Sequence, residues 1–475
     1  MKKTISIVAI ILALLLTMLT LAGCGTSTVD TNVTDTGTPT PTAKPHDADS
    51  TPMKPTVIAE DSDRKFLDAA PNDDPELKMP AIELQDKVVT ILAVTEEVDT
   101  PQQLIMKELY SYNGEAPEFK YIVTTHGEFM SKLIADVLAG NPPDLFGNDY
   151  DPTLIKKDLV QPVDEYISFT QGVWKNTQKS HDRYIWNGRH YLVNPVFSRW
   201  DVVWFNKAVF EEYGIDTPDV LYADYNWTWD TMRDAAMKLT IDLNQDGSND
   251  IYGMAIDDFN MFISSTGTSY ATLNADGTVT NNIESPEIAR AMTFYVNLYL
   301  KDKCVYRGDD ARDKFVLGQI AMISGGLWYR GPFTEMVRAG DVTFVPYPRD
   351  PSADKYYCPE GAGGTFIPRG ANNIAGACAL LSCTRYMYED EKGLWDDYLK
   401  VAANEGWTET EHYMLWNEVQ GVNLYPVPNL ANCFGISAFN GDIFVRTREG
   451  EPWATIAAEI SPMIDDNINR ILDVE

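Results

Sequence analysis

The sequence is poor in the residues from which most chemistry is read. Six cysteines in 475 residues are too few for a disulfide-built scaffold. Five histidines form no HExxH pair, and the chain has no Walker A loop, dinucleotide-binding glycine pattern or nucleophile elbow. It also has no internal repeat at a solenoid period. Basic residues are scarce: 38 Lys and Arg against 70 Asp and Glu give a formal charge of −32, and no Lys/Arg cluster interrupts it. Such a field repels phosphate backbones and anionic lipid headgroups, so nucleic acid is not expected as a partner. These absences argue against catalysis and against an organic cofactor.

Long apolar runs are confined to the first residues. Met1-Lys2-Lys3 is a cationic start, and Ile5 to Leu21 is almost wholly apolar, the two parts of an export signal. The following Leu21-Ala22-Gly23-Cys24 resembles the lipobox of bacterial lipoproteins. By that resemblance residues 1–23 are removed, and Cys24 carries the lipid that holds the protein at the outer face of the cell membrane. Residues 24–80 are rich in Thr, Pro and Asp, with no aromatic before Phe66, and read as a disordered tether. Eleven acids and five bases lie between Gly25 and Pro80, so most of the negative charge, −28, belongs to residues 81–475.

Beyond Asp86 the texture becomes that of a folded body. Lys87–Val94 and Phe119–Thr124 read as strands, and Gln102–Tyr110 as a helix. In Glu128–Leu138 the residues Met130, Leu133, Ile134, Val137 and Leu138 repeat at helical spacing, before a stop at Gly140 and two prolines. Ser285-Pro286-Glu287 opens another helix, whose buried stripe is Ile288, Met292, Tyr295 and Tyr299. Strands alternating with helices argue an α/β protein with largely parallel sheets. The five cysteines after Cys24 cannot all pair within one chain; Cys378 and Cys383, in an apolar stretch, read as buried thiols.

Four stretches, in consistent order, resemble extracellular solute-binding proteins of ABC importers, the carbohydrate-binding group that includes maltose-binding protein. They are Ala139–Phe146 with Lys157–Ile167; Asn194-Pro195 with Val203–Phe210, followed by Pro218 and Thr228-Trp229-Asp230; Phe315–Trp328; and Gly363–Asn373. The sequence departs from the family at Trp204-Phe205, where tyrosines are usual, and after Gly406. The resemblance implies a periplasmic-binding-protein type II fold, two lobes with crossover hinge strands and an interlobe cleft. Lobe 1 would comprise 81–195 and 363–400, and lobe 2 would comprise 196–362 and 401–475. The chain would cross near Val193–Ser198, near Gly363–Phe366 and again in the 400s. The implied function is a monomeric receptor that closes on a carbohydrate, in the form of an oligosaccharide, and delivers it to ABC permease subunits in the membrane. A secreted glycoside hydrolase and a sensor-type binding protein for another small solute stand as alternatives.

The resemblance also implies the cleft residues. Trp328 would stack on a sugar ring, and Arg199 and Trp200 would face the cleft after the first crossover. Asn148, Asp149, Tyr150 and Asp151 would supply polar groups, with Glu96 and the stretch from Asp257 to Phe259 as further positions. Trp229, at a helix start beside Met232 and Ala236, reads as scaffold. Finally, Asp242, Asn244, Asp246 and Asp250 stand at positions 1, 3, 5 and 9 of an EF-hand-like loop, with Gly247 at 6 and Ser248 offering its carbonyl at 7. Position 12 is Gly253 in place of an acid, so the expectation is a structural Ca2+ loop bracing the second lobe, distinct from a full EF-hand.

Overall fold

The protein is described from a computed structural model covering residues 78–197, 199–389, 411, 414–419 and 424–473. The export signal, Cys24, nearly all of the tether and much of the third crossing lie outside the described residues. The strands, in chain order, are β1 (Val88–Ala93), β2 (Glu118–Val123), β3 (Leu145–Asp149), β4 (Val160–Gln161), β5 (Ile185–Trp186), β6 (Arg189–His190), β7 (Asp201–Asn206), β8 (Tyr252–Ile256), β9 (Ala271–Leu273), β10 (Val279–Asn281), β11 (Val305–Tyr306), β12 (Ile320–Gly326), β13 (Val342–Val345), β14 (Tyr357–Gly361), β15 (Gly363–Pro368) and β16 (Tyr425–Asn429).

Two five-stranded sheets organise them. One has the order β2-β1-β3-β15-β4 and the other β11-β8-β12-β7-β13. In the first, β1 runs parallel to β2 and β3, while β15 enters antiparallel to β3. In the second, β12 is parallel to β8, and β7 is inserted antiparallel between β12 and β13. The inserted strand in each sheet is the one the chain reaches by crossing from the other lobe. Val193 still bridges Thr365 of the first sheet, and by Asp201 the chain pairs with Gly326 of the second. The return runs through β14 into β15, with β16 parallel beside β14. This is the two-lobed α/β architecture expected from the sequence.

The local elements follow from their sequences. The Ser285 hydroxyl accepts from the Ile288 amide at 3.3 Å, and the helix Pro286–Leu300 buries Ile288, Met292, Tyr295 and Tyr299. Helix Phe129–Leu138 buries Leu133 as the 3.6-residue period requires, but Leu138, expected on the buried face, is 78% exposed. Phe129, Met130 and Val137 pack partly buried against the same core, while Ile134, also expected on the buried face, is exposed. Trp229 is scaffold: it is buried, and its indole N–H donates to the Ser265 hydroxyl at 2.9 Å.

The described cysteines are all free thiols, four of them buried, and burial raises Cys304, Cys358, Cys378 and Cys433 to about 12. The tether ends earlier than Pro80. Met79 is buried, the Pro80 carbonyl accepts from the Tyr110 hydroxyl, and the Lys78 carbonyl accepts from the Val173 amide. Gly172, with φ of +54°, permits that approach, since a Cβ there would strike the Lys78 carbonyl.

Asn373 fastens the helix Ile374–Glu389 to the first sheet. Its side-chain oxygen accepts from the Gly376 amide at 2.9 Å, and its amide nitrogen donates to the Asp86 and Val88 carbonyls, each at 2.9 Å. Buried Asp144 accepts from the backbone amides of Thr90 and Asn373, each at 2.7 Å. Replacing Asn373 by Ala removes the cap and leaves buried carbonyls without donors, so we expect a loss of about 2 kcal/mol or more in urea unfolding. An unchanged midpoint would show that the clamp does not hold the helix to the sheet.

Candidate ligand-binding site

The two sheets present their carboxyl-terminal strand ends on either side of the crossovers, the position where open α/β sheets hold ligands. On the lobe 1 rim, Glu96 and Glu97 follow β1, and Asn148 and Asp149 end β3. Asp149 pairs with Gly363, the point where the returning chain enters the sheet. On the lobe 2 rim, Trp200 and Asp201 lead into β7, Asp257 and Asp258 follow β8, Leu327 and Trp328 follow β12, and Tyr347 follows β13. Asp201 pairs with Gly326, so the other crossing enters its sheet beside Trp328. Both rims therefore border the same hinge.

Trp328 is 50% exposed, although its neighbours Leu327 and Tyr329 are buried. Glycine sets its position: a Cβ on Gly326 would strike the Trp328 ring, and one on Gly325 would strike the Tyr329 ring. The indole therefore lies against the strand end at Gly326 with half its surface open. Trp200 is partly buried, and its carbonyl accepts from the Leu327 amide at 2.7 Å, tying the crossing chain to the same end of β12.

Several predicted positions take other roles. Arg199 does not face the cleft: it is 2% exposed, and its Nε donates to the carboxylate of Glu360, 1% exposed, at 2.7 Å. The Ser180 hydroxyl donates to the same Glu360 oxygen at 2.9 Å, and Arg199 also donates to that hydroxyl at 3.2 Å. The guanidinium stacks on the Phe197 ring at 4.2 Å. An arginine leaving one crossover finds its counter-ion on the other, and that pairing turns it inward. Tyr150 is also buried, against Tyr184, and is not open to a ligand. Asp151 caps the helix Pro152–Lys156 by accepting from the Thr153 amide at 2.9 Å, which commits its carboxylate locally. Asn148 is partly exposed and Asp149 exposed at the rim, as are Glu96 and Asp257; Phe259 is buried core.

Sequence reasoning missed Asp201, Glu97, Glu360 and the tyrosines near them. Burial raises Asp201 to about 7, with a further push from the charge of Asp258. Asp258 is raised by burial, partly offset by the Asn260 amide, and Asp257 is raised by burial against the pull of Arg312. On the opposite rim, burial raises Glu97 and Asp149. Asp201 had a weak signal, an acid at the mouth of an apolar strand. Glu360 had none, because its partner is 161 residues away.

His181 braces the first crossover. Its Nε2 accepts from the Asn194 amide at 3.0 Å while Nδ1 faces the Thr177 carbonyl at 3.0 Å. Those partners call for the neutral ring with the proton on Nδ1, and burial lowers its pKa to about 3.

The Asp242–Asp250 loop is closed by the bridge between Ile241 and Ile251. Asp242 accepts from the Gly247 amide at 2.8 Å, Asn244 from the Asp246 amide at 2.9 Å and Asp250 from the Leu243 amide at 2.8 Å. Gly247 has φ of +91°. Among the described residues no three His, Cys, Asp or Glu side chains are grouped to hold a metal, so a cation here would also need Asn244 and backbone carbonyls.

Two mutants test this electrostatic arrangement. Glu360→Ala removes the carboxylate partner of a buried guanidinium and should destabilise the fold by about 3–5 kcal/mol in denaturant titration, whereas a surface pair would cost under about 1 kcal/mol. Asp201 binds its proton more tightly folded than unfolded, so its contribution to stability falls as pH rises from about 4 to about 7. Asp201→Asn should therefore flatten that decline and leave the protein more stable than the parent at pH 8; parallel curves would contradict the shift.

The profile of the bacterial extracellular solute-binding protein family matches residues 94–393. An uncharacterized ABC transporter extracellular-binding protein of Pyrococcus horikoshii is 26% identical over 214 residues, 42% of this chain and 45% of its own, so the match spans about half of that relative. Among solved structures, an ABC substrate-binding protein of Listeria monocytogenes in complex with cycloalternan superposes with TM-score 0.51 at 18% identity, covering 82% of this chain and 99% of that one. The cyclic alpha-maltosyl-1,6-maltose binding protein of Arthrobacter globiformis does so with TM-score 0.55 at 18% identity, covering 81% and 98%. At these identities the superpositions establish the fold.

Proposed function

Because the chain belongs to the bacterial extracellular solute-binding protein family, we propose that it is the receptor of an ABC importer, binding a carbohydrate between its lobes and handing it to membrane permease subunits. The observation that carries this is Trp328, a half-exposed indole on a glycine-floored strand end, on the same sheet edge as Asp201, Asp257 and Asp258. The apolar C–H face of a pyranose covers the ring, and the rim carboxylates and Asn148 take its hydroxyls. The similar folds of the substrate-binding protein in complex with cycloalternan and of the cyclic alpha-maltosyl-1,6-maltose binding protein give the reading further support. The crossovers form a hinge on which the lobes close, and ligand shifts that equilibrium by contacting both rims.

The anchor belongs to the same proposal. Leu21-Ala22-Gly23-Cys24 after an apolar run supports lipidation at Cys24, with the receptor tethered outside the cell membrane as a monomer. Among the described residues no helix is long and apolar enough to cross a membrane. The Asp242–Asp250 loop supports a structural Ca2+ held by Asp242, Asn244, Asp246, Asp250 and the Ser248 carbonyl.

Titration with a panel of oligosaccharides, followed by tryptophan fluorescence, tests the reading. A bound sugar should be recovered chemically unchanged, and Trp328→Ala should weaken its binding at least about tenfold, or 1.4 kcal/mol. Turnover of the sugar would favour the hydrolase alternative, and a response only to another solute class would remove the carbohydrate assignment. For the loop, Ca2+ added to chelator-treated protein should raise the melting temperature, and Asp242→Ala should abolish the rise.

A further inference from the structure

The lobe 2 rim holds more negative charge than a neutral sugar requires. Asp201 and Asp258 repel one another, and Asp257 adds to the field at Asp258. Among the described residues none of the three forms an ion pair; Arg312 acts on Asp257 only through space. The facing rim carries Glu96, Glu97 and Asp149, again acids. Metal chelation is a poor account, since no three such side chains are grouped for a metal among the described residues. Register explains their spacing. Asp201 pairs with Gly326, and the last paired residue of β8, Ile256, pairs with Ser324, so β12 separates Asp201 from Asp257-Asp258 by two strand spacings, roughly 10 Å. The Trp328 ring lies at Gly326, on the strand between them.

A second, independent observation marks the same place. Tyr347 is 1% exposed and Tyr270 4%, and among the described residues neither hydroxyl has a hydrogen-bond partner. Tyr347 lies in the field of Asp201, Asp258 and Asp257, and Tyr270 in that of Asp258. A buried hydroxyl without a partner is costly, and two beside one acidic cluster leave donor capacity unused at the base of the site.

We propose that the cleft selects a cationic saccharide: an oligosaccharide of 2-amino-2-deoxyhexose units with free, protonated amines. The proposal rests on the carbohydrate reading above and names the sugar class within it. The pyranose face stacks on Trp328, and an ammonium on that ring falls between Asp201 and the Asp257-Asp258 pair, where carboxylates and the indole face attract it together. Burial, with a lesser push from Asp258, raises the Asp201 carboxyl; a bound cation stabilises its charged form, so Asp201 gives up its proton to solvent as the amine docks.

The experiment is calorimetric titration of the full chain at pH 6.5 with three trisaccharides: the trimer of glucosamine, the trimer of N-acetylglucosamine and maltotriose. The expected result is binding of the glucosamine trimer at least about tenfold tighter than the other two, weakening with added salt, as charge-assisted contacts predict. Titrations in buffers of different ionisation enthalpy should show net proton release with the amine sugar. Asp201→Asn should abolish that release and reduce the preference, and Asp258→Asn should reduce the preference, with both variants retaining cooperative melting. Equal or tighter binding of the acetylated or neutral trimer overturns the cationic assignment but leaves a sugar receptor. Binding of none of the three, alongside capture of a non-carbohydrate solute, overturns the carbohydrate reading and this proposal with it.

Discussion

The ion pair between Arg199 and Glu360 is the contact on which the rest of the architecture turns. It joins the crossover that enters lobe 2 at Asp201 to the one that returns to lobe 1 at Gly363, and Ser180 of lobe 1 closes the triangle. Both charges are out of water, so separating them costs far more than breaking a pair on the surface. The two strands are thereby held at a fixed separation where the lobes pivot. That separation sets Asp201 beside Gly326 in one sheet and Gly363 beside Asp149 in the other, and so places both rims. Tyr184 and His181 extend the brace, the first by donating to the Gly361 carbonyl and the second by accepting from the Asn194 amide.

Hinge and rim divide the labour between buried and exposed charge. In the hinge, a cation and an anion cancel within the protein, and the result is rigidity. On the lobe 2 rim, Asp201, Asp257 and Asp258 have no such partner among the described residues. Their electrostatic cost is carried partly by protonation, as the raised Asp201 shows. A site built in this way is completed by what enters it. The overall acidity of residues 81–475 acts in the same direction, since it draws cations toward the cleft and disfavours anions.

Much of this was legible in the order of the residues. The helix opening at Ser285 and the buried Trp229 follow from local signals, a cap with proline and an apolar stripe, whereas the crossover near Val193 and the exposure of Trp328 agree with what the family resemblance implied. Where expectation failed, the competing partner was distant in sequence. Arg199 was expected to reach for sugar hydroxyls and instead met Glu360. Tyr150 was expected at the rim and instead packed on Tyr184, and Asp151 was drawn to the helix it caps. Ile134 and Leu138, which helical spacing assigned to the buried face, are exposed.

The sequence alone determined the class of molecule: an α/β body, a family resemblance and a strong negative charge. Each of these depends on residues that are near one another in the chain or on totals that folding does not alter. Only the tertiary structure decided which charges are paired. Arg199 and Glu360 neutralise each other across 161 residues, while Asp201 and Asp258, carried by different strands, come close enough to repel. Coulombic energy and desolvation depend on distance and burial in space, and neither is written into the spacing of residues along the chain.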